Sequence, residues 1–339
     1  MGMHAEFPRN PARKLPLPEV DGPDSPQARE LVEQRQPFRC KVKDMPAWDI
    51  PYLQQKVGQF ERKLTRTGTE EIVTMSNAEL LAIIAEDPGW KAKYLPTDGF
   101  GPPINFLHPV YKVLAEELQL PSYVTDPKVL MMMRNSRANA SREYYDTPSH
   151  YELNVQPAIY IQTSGRKHLW LFSPDEAANL GVESAMFESP FVSNGADACT
   201  HPDKYPQLAK ATCYEIVLEP GDFVYWPEFW FHWFVHYHDF QMNLRIDWDV
   251  PRFELNPMSA SWAYSNALAS ALGGFANMQQ ACAQLPPQTR ELLVKIEQSL
   301  INDKTVLQGA PMTKARKAAG TRADQPAYKP PTEPKSGGS

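Results

Sequence analysis

The sequence holds 339 residues with 33 prolines, four cysteines and a formal net charge of −6. That length accommodates one large domain with additions or two ordinary ones, and the mild charge without a long basic stripe argues against phosphate-backbone binding, so nucleic acid is not an expected partner. Cys40, Cys199, Cys213 and Cys282 are scattered without a Cys-x-x-Cys pair, which argues against a zinc ribbon and a disulfide-dense secreted scaffold and predicts a reducing, cytoplasmic setting.

Met1 to Asn10 contains His4, Glu6 and Pro8, so no secretory signal is expected there. Residues 1–36 are rich in proline and charge, a composition that predicts a flexible arm, mobile or lying along the surface. Regular structure is expected from Pro37-Phe38-Arg39-Cys40-Lys41-Val42, where apolar and polar residues alternate, followed by a short helix near Tyr52 to Phe60. Ser76 with Glu79 forms the signature of a capping box before Leu80-Leu81-Ala82-Ile83-Ile84, and Pro88-Gly89 should stop that helix. Turns and one helical run, Pro109 to Leu118, fill the stretch up to Pro121.

From Val129 the pattern changes to strands: Val129 to Arg134, Glu152 to Gln162, His168 to Phe172, Cys213 to Leu218, Phe223 to Trp226, His232 to His238 and Met242 to Trp248. Many short strands without helices between them predict a mainly β protein, an antiparallel sandwich or jelly roll. The most apolar stretch, Phe223 to Val235, is too short to span a bilayer and is broken by Pro227, Glu228 and His232, so no membrane association is expected. After Pro257 apolar residues return at helical spacing in Ser259 to Phe275 and Pro287 to Asn302, predicting two helices that could cover the barrel or build a homodimer. The organisation read from these patterns is an arm (1–36), one jelly-roll domain with N-terminal α/β additions (37–257), a C-terminal helical segment (258–307) and a disordered basic tail (308–339).

The chemistry concentrates in His150-Tyr151-Glu152. On an extended strand residues i and i+2 share a face, so His150 and Glu152 point together, and His232 in Trp230-Phe231-His232 is the candidate third donor. Two imidazoles and one carboxylate on one side of a metal leave open positions for co-substrate and oxygen, as in non-haem Fe(II) oxygenases. An isolated His-x-Glu is most often a hydrogen-bonded pair, and His232 could be a buried core histidine, with His236 and His238 on its face if alternation holds.

Three ordered segments make the metal reading specific. Thr147-Pro148-Ser149-His150-Tyr151-Glu152, then Gly165-Arg166-Lys167-His168-Leu169-Trp170-Leu171-Phe172-Ser173-Pro174, then Glu219-Pro220-Gly221-Asp222-Phe223-Val224-Tyr225-Trp226-Pro227 with Trp230-Phe231-His232, resemble the motifs of the JmjC and cupin-like Fe(II)/2-oxoglutarate oxygenases. The likeness covers roughly residues 37 to 250 and is nearest in style to the asparaginyl hydroxylase of the hypoxia pathway. It implies a double-stranded β-helix, Fe(II), 2-oxoglutarate, molecular oxygen and oxidation of an unactivated C–H bond. It also implies His150, Glu152 and His232 as iron ligands and Lys167 as partner of the distal carboxylate of 2-oxoglutarate, with Thr147 on the same group and Asn243 or Arg245 as a further contact. Two departures stand out: Glu152 replaces the more usual Asp, and the stretch from His150 to Lys167 is longer by two residues, which leaves Asn154 and Gln156 without an assigned role. The substrate class this suggests is an amino-acid side chain in a peptide or protein. The alternatives are a free amino acid or small natural product, a cupin dioxygenase that does without 2-oxoglutarate, and a metal-silent cupin-like binding or scaffold protein.

Overall fold

The computed structural model describes residues 10–43, 48–87, 94–96, 103–105, 117, 120–125, 127–135, 145–151, 156–180, 205–236, 240–248, 268–269, 271–273 and 275–302. In chain order the elements are β1 (Arg13–Pro16), α1 (Pro26–Glu33), β2 (Phe38–Lys41), α2 (Ile50–Val57), β3 (Glu61–Arg66), β4 (Ile72–Ser76), α3 (Asn77–Glu86), β5 (Tyr94–Pro96), β6 (Pro103–Asn105) and β7 (Lys128–Asn135). They continue with β8 (Tyr145–His150), β9 (Ala158–Ser164), β10 (Lys167–Phe172), β11 (Thr212–Leu218), β12 (Asp222–Trp226), β13 (Phe231–His236), β14 (Phe240–Asp247), α4 (Phe275–Ala283) and α5 (Pro287–Asn302).

Two sheets face each other. One has the order β1-β11-β10-β13-β8 and the other β2-β12-β9-β14-β7-β6, with β3, β4 and β5 forming a small third sheet. Except for β1, which joins β11 in parallel, the pairings within the two large sheets are antiparallel, and the architecture is a jelly roll. Residues directly opposite on paired strands share a face, which fixes what lines the interior. Leu169, Leu171, Ile216, Leu218, Phe234, Tyr160, Val224 and Trp226 meet between the sheets as one buried cluster. A second cluster lies on the outer face of the β2–β6 sheet, where Ile159, Ile161, Phe223, Tyr225, Leu244 and Ile246 pack against Leu53 and Val57 of α2 and Leu80, Leu81 and Ile84 of α3. A third, with Trp170, Phe172, Cys213, Trp233 and Val235, backs the other sheet.

The helices of the N-terminal addition carry their predicted signals. Ser76 Oγ accepts from the Glu79 amide at 3.1 Å while Glu79 accepts from the Ser76 amide at 2.7 Å, closing the capping box of α3. Asp49 caps α2 through the Tyr52 amide at 2.9 Å.

Residues 10–36 depart from the expectation of a flexible arm. Arg13 to Pro16 pair with Thr212 to Glu215 on a sheet edge, Ala12, Leu17 and Ala28 are buried, and α1 begins at Pro26 behind a Ser25 cap. The prolines sit where a missing N–H costs nothing, at a strand end and a helix start, so their number misled as a sign of disorder. The first predicted inner strand is also shorter than expected, since β9 starts only after Pro157. A separate strand, β8, ends at His150. Pro287 to Asn302 is the helix the spacing predicts, whereas Pro88-Gly89, most of Ser259 to Phe275 and nearly all of Pro109 to Leu118 lie outside the described residues, as does the tail from 308.

Candidate metal and co-substrate site

The site grows from strand register. His232 on β13 stands opposite His150 on β8, and their rings approach to 4.2 Å between centroids, with both side chains buried. The β8–β13 pairing shifts between His232 and Phe234, a local irregularity that sits at the predicted metal ligand. His232 Nδ1 lies 3.2 Å from the Trp230 carbonyl. A carbonyl only accepts, so Nδ1 carries the proton and Nε2 keeps its lone pair for a metal. The Trp226 ring lies tilted beside it, 5.0 Å between centroids.

Two neutral imidazoles this close fit one divalent ion at metal–nitrogen distances of about 2 Å. Among the described residues no group of three His, Cys, Asp or Glu side chains comes together. Glu152, the expected third donor, lies outside the described residues, as do Asn154 and His238.

Further down the same interior face, Lys167 on β10 stands opposite His236, four residues along β13 from His232 and therefore roughly 13 Å away at 3.3 Å per residue. Its side chain is 1% exposed. Lys167 Nζ donates to Asn243 Oδ1 at 2.7 Å and to the Tyr160 hydroxyl at 3.4 Å, and it lies 4.8 Å and 5.2 Å from the ring centroids of Tyr160 and Phe234. Asn243 Nδ2, fully buried beside this ammonium, has no hydrogen-bond partner. An orphaned donor next to a buried cation suits a carboxylate, which accepts from both. Asn243 pairs with Gln162 beside a second register shift in the β9–β14 pairing, whose extra residue, Thr163, lies on β9.

The two last-strand candidates thus separate. Asn243 touches Lys167, whereas Arg245 Nε donates to Asp247 Oδ1 at 2.9 Å within the same strand. Thr147 pairs through its backbone with Phe234; its side chain lies outside the described residues. Gln156 is buried at the approach to β9. His236 Nδ1 bonds Gln241 Oε1 at 3.1 Å, and Gln241 in turn donates to the Arg166 carbonyl, so this histidine is tied to the floor of the barrel rather than to the His150–His232 pair.

Sequence reasoning missed Tyr160 and Phe234, the aromatic walls of the lysine. The strict alternation Ala158-Tyr160-Gln162 against Ile159-Ile161 was the available signal, once one knew which face looked inward.

Lys167 and His168 illustrate that alternation, one facing in and the other out. His168 Nε2 lies 3.0 Å from Glu215 Oε1, and the same carboxylate accepts from Trp170 Nε1 at 2.8 Å and pairs with Lys14 at 3.2 Å. Burial holds the His168 imidazole below its usual pKa although Glu215 pulls it upward. For Glu215 burial pushes upward, but the bonds from Trp170 and Lys14 and the His168 charge outweigh it, and its carboxyl falls below the ordinary range.

Fold and site together point to a class, and the family model that matches is that of the cupin-like domain, over residues 121–251. Among curated relatives, the chain is 24% identical to tRNA wybutosine-synthesizing protein 5 of Mus musculus over 323 residues, which cover 86% of this chain and 97% of that one. The Gallus gallus protein of the same name is 26% identical over 258 residues, covering 68% of this chain and 76% of its own. Jumonji C domain-containing protein 5 of Drosophila melanogaster is 33% identical over 90 residues, 26% of this chain and 21% of the relative.

Proposed function

We propose that this protein is an Fe(II)/2-oxoglutarate-dependent hydroxylase. The observation that carries the reading is the alignment, on one interior face, of the His150–His232 pair with the buried Lys167–Asn243 pair, which lies beside His236, four residues further along β13 from His232. His150, His232 and Glu152 would hold the metal, and Lys167, Asn243 Nδ2 and Thr147 would hold the distal carboxylate of 2-oxoglutarate. Bound together, metal and co-substrate supply oxidation of an unactivated C–H bond by molecular oxygen, with succinate and carbon dioxide released. The chain's own part is to orient and exclude: Trp230 fixes the His232 ring, and Tyr160, Phe234, Leu169 and Leu171 keep water from the interior.

For the substrate, relatives named for wybutosine synthesis on tRNA move a tRNA nucleotide ahead of the peptide or protein side chain expected from the motifs. They also revise the expectation that nucleic acid is no partner. A net charge of −6 speaks against affinity dominated by the phosphate backbone, but reading a single modified base does not require such a surface.

The test is anaerobic. Fe(II) and 2-oxoglutarate added to the wild type should give the weak visible charge-transfer band of the chelate, absent in His150→Ala. Under oxygen, tRNA should stimulate succinate formation more than peptide substrates do. A wild type without the band, and without tight metal binding, would overturn the enzymatic reading in favour of a metal-silent binding protein. Succinate formation raised by peptides and not by tRNA would restore the amino-acid substrate class.

A further inference from the structure

Among the described residues the non-glycine positions with left-handed backbone are Arg35, at φ 52°, and Phe229, at φ 66°. A bulky residue rarely adopts this conformation, and one that does is held there by its surroundings. One of them makes, and the other adjoins, a single contact. Arg35 Nη1 is paired with Oε1 of Glu228, the neighbour of Phe229 in the turn between β12 and β13, and the Glu228 side chain is only 2% exposed.

Each end is built for this meeting. Arg35 is the C′ residue of α1: its amide bonds the Val32 carbonyl at 3.1 Å, and the Gln36 amide bonds the Leu31 carbonyl at 2.8 Å, a Schellman closure in which glycine is the usual occupant. An arginine there accepts an unfavourable backbone, and its guanidinium reaches Glu228. At the other end, the strained turn Pro227 to Trp230 touches both candidate ligand segments. The Trp230 carbonyl accepts from His232 Nδ1, and the Phe229 ring lies 6.2 Å from that of Tyr151, the neighbour of His150.

We propose that the Arg35–Glu228 ion pair positions the metal centre, clamping the turn so that the Trp230 carbonyl holds His232 with Nε2 bare and Phe229 braces the His150 segment. Arg35 and Glu228 are positioning residues acting through Phe229 and Trp230. The N-terminal segment is then part of the site's scaffold, and its attachment sets metal affinity from outside the barrel. The inference rests on the metal reading of His150 and His232.

Two variants separate this role from a merely structural one. Arg35→Gly removes the guanidinium yet relieves the backbone at φ 52°, and Glu228→Gln keeps the shape while removing the charge. Co(II) titration of the metal-free protein, followed by its visible absorption, should show affinity lowered about 10- to 100-fold in both, with the Arg35→Gly protein no less resistant to urea than the wild type. Long-range 1H–15N spectra of the metal-free protein should show His232 as the Nδ1-protonated tautomer in the wild type and as a mixture in the variants. Wild-type Co(II) affinity and an unmixed tautomer in both variants would overturn the proposal. The tautomer readout needs no metal: a wild type that binds no Co(II) counts against the oxygenase reading, and the positioning claim is then decided by the spectra alone.

Discussion

Replacing Lys167 by methionine keeps the volume of the side chain and removes its charge. In the wild type Lys167 is 1% exposed and its ammonium sits 2.7 Å from Asn243 Oδ1 between the rings of Tyr160 and Phe234, so a carboxylate bound there meets it with little water to screen the attraction. Truncating one partner of such a buried, hydrogen-bonded charge pair costs at least about 2 kcal/mol. Asn243 Nδ2 remains as a donor, so a loss of about 2 to 4 kcal/mol is expected, roughly 30- to 1000-fold in 2-oxoglutarate affinity. Folding stability should respond differently. Relief of a buried charge offsets the orphaned Asn243 Oδ1, and a volume-conserving swap leaves the urea unfolding free energy within about 1.5 kcal/mol of wild type. The assay is anaerobic titration of the Fe(II)-loaded protein with 2-oxoglutarate, followed by the charge-transfer band, beside urea unfolding of the metal-free protein. Unchanged 2-oxoglutarate affinity in Lys167→Met would refute the co-substrate site at Lys167.

Three further outcomes follow from burial and charge. Burial first, then the Asp222 and Glu19 charges, push the Cys40 thiol up to about 12, and burial with Glu215 pushes Cys213 up to about 12, so mass spectrometry should find both unmodified after iodoacetamide treatment of the native protein at pH 8 and alkylated in urea; native labelling of either contradicts the packing. Because the folded pKa of His168 is lowered, the unfolded chain binds a proton that the folded chain refuses once the pH drops below about 6.5, and stability should fall with pH down to the depressed folded value; a His168→Gln protein with an unchanged slope of unfolding free energy against pH would reject this assignment. On α5, Leu292 is 57% and Ile296 40% exposed one turn apart, the face a homodimer through the C-terminal helices would cover. Sedimentation should give a dimer for the wild type and a monomer for Leu292→Lys/Ile296→Lys, and one common mass for both rules that contact out.

How much of this was legible beforehand follows from what each signal depends on. Capping chemistry is local, and Ser76 with Glu79 announced α3 from a four-residue window. Short apolar runs rich in aromatic and β-branched residues, divided by Gly, Pro, Asn and Asp, announced β7, β10, β11 and β12 closely, because such side chains pack well on a pleated, buried surface. Local composition failed for residues 10–36, since a strand on a sheet edge is stabilised by its partner β11 and not by its own residues. Likewise β3 and β4, with charged residues such as Arg62 and Lys63, gave no alternation strong enough to read.

The sequence by itself determined a mainly β jelly roll and singled out His150, His232 and Lys167, from motif order, as candidate site residues. Which of those residues meet was decided only in three dimensions. Register sets His150 against His232, and on one face of β14 Asn243 meets Lys167 while Arg245 closes on Asp247. The Arg35–Glu228 clamp was beyond any local pattern, because its two ends are separated by most of the chain and a left-handed arginine is chosen for what its side chain reaches, not for what its neighbours prefer.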